Sequence, residues 1–153
     1  SDADGEDMTD VGTPFYGHCL CGAVSVTVAG AHDPRPGACH CRMCQRWSGG
    51  LFLCFNADAA GVTVKGPVTR YASSDFAERA FCSVCGSHLW MRNTDGAAYD
   101  LMPGLFDAVL TAPLRSEVYS DRAMASVHLA GDHRRATGAE YEQKNRFVEG
   151  DPT

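Results

Sequence analysis

The spacing of the cysteines constrains the fold of this chain more than any other feature of its sequence. Seven of the eight fall into three tight groups: CxC at Cys19 and Cys21, CxCxxC at Cys39, Cys41 and Cys44, and CxxC at Cys82 and Cys85. Thiols this close suit ligands that converge on one metal ion better than disulfides, which ideally close long loops. The sequence therefore predicts a fold built around bound metal.

The first and third groups together predict a structural zinc site. Structural zinc takes four ligands in a tetrahedron and is commonly held by two short cysteine pairs that are distant in sequence. A glycine follows each pair, Gly22 in one case and Gly86 in the other. A glycine there lets the chain turn so that backbone amides face the sulfurs. Such a site would tie the first strand to a hairpin far along the chain.

The middle group offers only three thiols, and three protein ligands with one free position form a catalytic zinc site. In an extended segment Cys39 and Cys41 project to the same side, Cys44 closes over them from the following turn, and His40 points away. The free position would accept water or a substrate thiolate. Two alternatives remain open from the residues alone: a second structural site completed by a histidine or Cys54, and a metal-free redox-active cluster.

The remaining cysteine and two of the histidines are predicted to be supporting groups. Cys54 lies in the apolar run LFLCFNA, where a lone cysteine acts as a small hydrophobic side chain. His18 precedes Cys19 and His88 follows the CxxC pair, and both are expected at the surface or behind the ligands.

Basic and amide side chains crowd the three-thiol group and are candidates for substrate binding. They are Arg42, Gln45, Arg46 and Ser48. Such groups offset the net negative charge of a zinc tris-thiolate, or they bind the carboxylates of an anionic substrate. Arg42 lies inside the ligand loop and is expected to balance the thiolates. The predicted substrate contacts are therefore Arg46, Gln45 and Ser48.

Length and charge narrow the classes of partner. The 153 residues, 44% of them apolar, suit one domain, expected over residues 11–148 between a disordered tail at 1–10 and a frayed end at 149–153. A net charge of −6 opposes non-specific binding to nucleic acid or anionic lipid. No apolar run reaches a membrane span and the acidic N-terminus does not resemble a signal peptide. We expect a cytoplasmic protein with a small-molecule or protein partner.

Short alternating runs separated by Gly, Pro, Asp and Asn predict a mainly β, antiparallel fold. AVSVTVAG alternates as a half-buried strand does, and CRMCQRW is expected to form one helical turn. GVTVKG and VTRYASS are expected to pair with each other across Gly66 and Pro67.

At this point the chain resembles the glutathione-dependent formaldehyde-activating enzyme family, which also includes centromere protein V. The stretches that carry the resemblance are GHCLCGAVSVTVAG at 17–30, CHCRMCQRWSGGLF at 39–52 and RAFCSVCGSHLW at 79–90. The resemblance implies a β-tent fold with two zinc ions, a structural one at the first and third cysteine groups and a catalytic one at the middle group. Family members often carry a Pro-Trp pair after a late strand, where this chain has SDRAMASVHLAG.

The resemblance also implies an activity. It indicates a zinc-dependent carbon–sulfur lyase that acts on or binds S-hydroxymethylglutathione, the adduct of glutathione and formaldehyde. A non-catalytic zinc module that docks a protein partner is the alternative. The first expectation needs an open zinc position inside a pocket, whereas the second needs sealed metals and an exposed apolar patch.

Overall fold

The structure is a computed structural model that describes residues 11–149. The tail expected at residues 1–10 lies outside the described residues, as do residues 150–153 of the expected frayed end. Short strands dominate the described part of the chain, which confirms the prediction of a mainly β fold.

Within residues 11–149 the strands form two sheets, a smaller one in the order β1-β2-β5 and a larger one in the order β11-β10-β3-β4-β9-β8-β7-β6. The strands are β1 (Phe15–His18), β2 (Ser25–Val28), β3 (His32–Cys39), β4 (Phe52–Asp58), β5 (Val62–Lys65), β6 (Val68–Ala72), β7 (Ala77–Cys82), β8 (His88–Asn93), β9 (Ala98–Leu101), β10 (Ser116–Val118) and β11 (Arg134–Ala136). The α-helices are α1 (Arg42–Ser48) and α2 (Gly138–Glu142). Short 3-10 turns cover Ala59–Gly61, Pro103–Leu105, Asp107–Val109 and Ser120–Arg122.

Strand directions follow the antiparallel prediction except at one edge. β10 pairs in parallel with both β3 and β11, while the other pairings in the two sheets are antiparallel. The strand predicted in AVSVTVAG is present as β2, where Val26 and Val28 are buried and the residues between them are half-buried. The helical turn predicted in CRMCQRW is present as α1.

The expected pairing of β5 with β6 is wrong. β5 instead joins β2 in the smaller sheet, and β6 pairs with β7 at the edge of the larger sheet. The chain passes from one sheet to the other at Gly66, whose φ of +113° lies in the region that favours glycine. A Cβ atom on Gly66 would also collide with the backbone carbonyl of Ala23. The glycine therefore marks a change of sheet and not a hairpin turn.

The sequence pattern did not predict the length of β3, whose residues HDPRPGAC include two prolines. Proline cannot donate to a strand ladder, and pairing with β4 shifts register between Asp33 and Gly37. Asp33 accepts two side-chain hydrogen bonds from Arg35, at 3.0 and 2.7 Å, which satisfies this buried carboxylate. The strand resumes its pairing at Gly37 and delivers Cys39 beside β4.

Two hydrophobic clusters organise the interior. The larger cluster combines Val26 and Val28 of the smaller sheet, and Val24 just before β2, with Phe55, Leu89 and Trp90 from the larger sheet, so the two sheets pack against each other through it. The second cluster surrounds Cys39 and Cys44 and includes Phe52 and Cys54. Neither α-helix in the described part of the chain is long and apolar enough to cross a membrane.

Candidate metal centres and the adjoining cleft

Four cysteines from distant parts of the chain meet between the two sheets. Cys19 and Cys21 lie on the turn between β1 and β2, Cys82 is the last residue of β7, and Cys85 lies on the turn between β7 and β8. Their Sγ atoms all lie within 4.8 Å of one another. We call this group the four-thiol cluster; it joins the smaller sheet to the larger one.

Backbone amides point at the sulfurs of this cluster, as the two glycines predicted. Gly22 and Gly86 have φ of +80° and +78°, which turns the chain after each cysteine pair. Cys19 Sγ then accepts from the Val24 amide at 3.3 Å, and Cys82 Sγ accepts from the Val84 amide at 3.4 Å. The side-chain hydroxyl and the backbone amide of Ser87 lower the pKa of Cys85 to about 5. These contacts favour thiolates, the form in which cysteine binds metal.

The sulfur spacing of the four-thiol cluster fits zinc. Zinc–sulfur bonds of about 2.3 Å in a regular tetrahedron place neighbouring sulfurs about 3.8 Å apart. The Sγ of Cys21 lies 3.6 Å from that of Cys19 and 3.8 Å from that of Cys82. A disulfide would need sulfurs about 2.05 Å apart. The donor set and its dimensions therefore match a structural zinc site.

The middle group of cysteines also converges. Cys39 ends β3, Cys41 is the N-terminal cap of α1, and Cys44 lies in the first turn of that helix. Their Sγ atoms lie within 4.8 Å of one another, and Cys41 Sγ accepts a hydrogen bond from the Cys44 amide at 3.4 Å. We call this group the three-thiol cluster. Its donor set fits a zinc site with one position left for another ligand.

Arg79 of β7 reaches the three-thiol cluster from the opposite side of the site. Its Nη2 lies 3.5 Å from Cys44 Sγ, and the guanidinium stacks over the Trp47 ring at 5.2 Å. The residue is only 4% exposed, yet its Nη1 has no hydrogen-bond partner among residues 11–149. Hydrogen bonds from Cys39 and Cys41 hold the pKa of Cys44 well below its ordinary value, and the charge of Arg79 lowers it further. A buried cation with a free donor thus lies beside the thiols.

A cleft opens beside the three-thiol cluster, with a cavity volume of about 60 Å³. We call it the thiol cleft. The three cysteines share its lining with Arg79, Ser73, Phe76, Tyr119, Tyr141 and Arg146. Two arginines and no carboxylate are among the described residues that line it, although the chain carries a net charge of −6. The composition of the lining therefore favours an anionic ligand.

The three predicted substrate contacts do not line this cleft. Arg46 is exposed on the outer face of α1. Gln45 is buried and donates to the carbonyls of His40 and Arg122, at 2.8 and 2.9 Å. Ser48 lines a separate, shallow depression. The geometry assigns Gln45 to holding α1 in place and brings none of the three to the cleft.

The structure also places the other cysteine and histidines that the sequence singled out. Cys54 is 4% exposed in the second hydrophobic cluster, where burial raises its pKa, and it is not part of either thiol cluster. His40 turns away from the thiols and pairs with Glu117 at 2.7 Å. His88 stacks on Trp47 with ring centroids 4.1 Å apart, and burial together with the charge of Arg79 lowers its pKa. His18 is exposed beside Cys19.

Sequence reasoning missed Arg79, Tyr119 and Arg146, which line the cleft. A signal existed for Arg79, because it opens the motif RAFCSVC. Its position three residues before Cys82 on an extended strand gave no indication that it would face a cluster 35 residues away. Tyr119 and Arg146 lie in segments without a motif.

Comparisons with known proteins agree with this arrangement. Residues 14–122 match the family described as "Glutathione-dependent formaldehyde-activating enzyme". An uncharacterized lyase of Schizosaccharomyces pombe is 33% identical over 109 residues, which cover 70% of this chain and 79% of that protein. A Rhodobacter sphaeroides protein of known crystal structure has a TM-score of 0.50 and 22% identity, over 65% of this chain and 98% of its own, and this likeness concerns the fold alone.

Proposed function

Because the chain belongs to the glutathione-dependent formaldehyde-activating enzyme family, we propose that it is a zinc-dependent carbon–sulfur lyase. The proposed substrates are an anionic thiol of the glutathione type and formaldehyde, joined as S-hydroxymethylglutathione. The match over residues 14–122 and a relative named as a lyase support the family and the reaction class. The choice of formaldehyde follows the description of the matched family, and the choice of an anionic thiol rests on that description together with the lining of the cleft.

The observation that carries the proposal is the position of Arg79 beside the three-thiol cluster. A buried guanidinium with a free Nη1 costs stability unless a ligand binds it. Retaining such a group at the cleft is understandable if the ligand supplies an anion. Glutathione carries two carboxylates and a thiol, which matches an arginine next to a metal-binding cluster.

In this proposal the two clusters have different roles. Cys19, Cys21, Cys82 and Cys85 hold a structural zinc ion, and Cys39, Cys41 and Cys44 hold a second one at the reaction site. A zinc ion held by these three cysteines would lower the pKa of the substrate thiol. Arg79 binds an anionic group of that thiol and keeps it oriented toward the cleft.

The reaction needs no oxidant or reductant. In the forward direction the thiol sulfur forms a bond to the carbonyl carbon of formaldehyde, and the proton of the thiol ends on the carbonyl oxygen. In the reverse direction the carbon–sulfur bond breaks and the proton returns to sulfur. Phe76 and Tyr141 are among the apolar and aromatic side chains that line the cleft where this bond would form.

The cleft also bears on the alternative of a non-catalytic binding module. That reading requires both clusters to be closed to small molecules, whereas all three cysteines of the three-thiol cluster line a cleft. Leu20 and Val84, at 87% and 68% exposure, are apolar residues at the tips of the other cluster. Two side chains alone offer little area compared with the several hundred Å² of a typical docking patch.

The test is the rate of exchange between formaldehyde and S-hydroxymethylglutathione, measured by magnetisation-transfer NMR with zinc-loaded protein. The wild-type protein should accelerate exchange above the uncatalysed rate. Arg79→Gln should weaken glutathione binding by about tenfold or more, because a charge-assisted hydrogen bond is worth about 1.5–3 kcal/mol. Arg70→Gln is the matched control, since Arg70 lies at the edge of the larger sheet, pairs with Glu78 and does not line the cleft.

Two results would contradict the proposal. Absence of acceleration by wild-type protein at full zinc content would exclude the lyase activity on this substrate. Equal glutathione affinity for wild type and Arg79→Gln in a calorimetric titration would remove Arg79 from the site.

A further inference from the structure

One wall of the thiol cleft comes from residues that follow the family-matched range. The family match ends at residue 122, whereas Tyr141, Arg146, Phe147 and Val148 all line the cleft. We call residues 137–148 the C-terminal segment. Part of the substrate pocket is therefore built from sequence that the family pattern does not describe.

The start of this segment is firmly attached. Thr137 caps α2 in a capping box with Glu140, and the Gly138 amide donates to Asp121 Oδ1 at 2.7 Å. Glu142 accepts a hydrogen bond from the Tyr119 hydroxyl at 2.9 Å. Tyr119 has φ of +54°, a costly conformation for a residue with a side chain. The contacts that hold the Tyr119 ring against α2 offset the energetic cost of this backbone conformation.

The end of the segment is held differently, through Arg146. Its Nη2 lies 2.6 Å from Asp95 Oδ1, and its guanidinium lies 4.9 Å from the centroid of the Phe76 ring. The side chains of the two ion-pair partners are 50% and 67% exposed. Ion pairs this exposed contribute about 0–1 kcal/mol, so a ligand carboxylate can displace Asp95 at small cost.

The ring of Phe76 keeps the guanidinium in place during such an exchange. Cation–π stacking uses the face of the guanidinium, while its N–H donors point outward in the same plane. A carboxylate in the cleft can therefore take two parallel hydrogen bonds from Arg146 without moving the stacked group. Arg79 and Arg146 then supply two separate cations to one cleft.

We propose that Arg146 is a specificity residue, which exchanges Asp95 for a carboxylate of the bound thiol and so selects thiols that carry a second anionic group. The proposal rests on the proposed function, because it assigns one carboxylate of the substrate to Arg79 and the other to Arg146. Asp95 acts as an internal competitor that occupies Arg146 when the cleft holds no anion.

Two variants with opposite expected effects test this assignment. Arg146→Gln should weaken glutathione binding by about tenfold, the value of one charge-assisted contact. Asp95→Asn removes the competitor and should strengthen glutathione binding by about two- to fivefold, within the range of an exposed ion pair. Neither variant should change the affinity for 2-mercaptoethanol, which has no carboxylate. The measurement is calorimetric titration of zinc-loaded protein with both thiols.

A purely structural role gives a different pattern. If the ion pair only fastens the segment, both variants should weaken the binding of both thiols, and that result overturns the proposal. A third pattern separates this inference from the proposed function. In it, wild type binds glutathione, Arg79→Gln does not, and the Arg146 and Asp95 variants bind it as tightly as wild type. That result refutes this inference and leaves the proposed function in place. If wild-type protein does not bind glutathione, both fail.

Discussion

The two thiol clusters should contribute unequally to stability, and Cys82→Ser compared with Cys44→Ser measures the difference. Cys82 belongs to the cluster that joins the two sheets, across a separation of 61 residues from Cys21. Cys44 lies within a local group, three residues from Cys41. Removing a ligand from the first cluster opens a long loop, whereas removing one from the second opens a short loop.

The loop lengths give the expected size of each effect. The chain-entropy relation for a cross-link gives about 4 kcal/mol for a loop of roughly 60 residues and about 2 kcal/mol for one of roughly six. A typical domain is stable by only about 5–15 kcal/mol, so the larger loss removes much of the total. For a chain of this length it corresponds to a fall in melting temperature of about 8–16 °C.

Urea unfolding of zinc-loaded protein, followed by tryptophan fluorescence, measures both losses. Trp90 lies in the larger hydrophobic cluster and Trp47 packs beside the three-thiol cluster, so emission reports both regions. Cys54→Ser is the control, because Cys54 is a buried thiol outside both clusters. This variant measures how much unfolding free energy is lost when a hydroxyl replaces a buried thiol that is not a candidate metal ligand.

The reasoning is refuted if Cys82→Ser, corrected by this control, loses no more stability than Cys44→Ser. That outcome would mean that the four-thiol cluster does not connect the sheets through a metal ion. It would also remove the distinction between a structural and an open site.

Three further predictions follow from the same structure. Elemental analysis should find two zinc ions per chain, and one ion would show that one of the clusters does not hold metal. Gly66→Ala should lower the free energy of unfolding by about 2 kcal/mol or more, because the φ of +113° and the crowded backbone both disfavour a side chain; Gly104→Ala, where a Cβ meets nothing within 4 Å, should change the melting temperature little. Burial alone would raise the pKa of Asp33, but Arg35 and Arg115 hold it below its ordinary value of 3.8. Its stabilising effect is therefore present above that pH and lost as the pH falls through the lower folded value, so Asp33→Asn should flatten the acid side of a stability-against-pH curve.

The cysteine grouping was predictable because ligand spacing is a local property. Two or three thiols within six residues can converge only on one point, and Gly22 and Gly86 marked the turns that bring amides to the sulfurs. The alternation of buried and half-buried residues along a strand is equally local, which explains why the sequence predicted β2 correctly. The buried position of β4 was predictable from the length of its apolar run.

The features that were missed depend on contacts between distant residues. β5 and β6 both have strand patterns, but nothing near Gly66 indicates that they belong to different sheets. Arg46 is close to the thiols in sequence and faces away from them, because α1 turns it outward. Arg79 is far in sequence and faces them, because β7 crosses behind the cluster. Proximity along the chain was therefore a poor guide to which side chains line the thiol cleft.

The position of Arg79 on the same strand as Cys82 has a consequence for assembly. β7 ends at Cys82, so the four-thiol cluster fixes the strand that carries Arg79 to Cys44. His88, which also packs on Trp47, lies on the partner strand of the same hairpin. Loss of the four-thiol cluster should therefore displace both side chains that pack on Trp47 beside the three-thiol cluster, whereas loss of the three-thiol cluster should leave this hairpin in place.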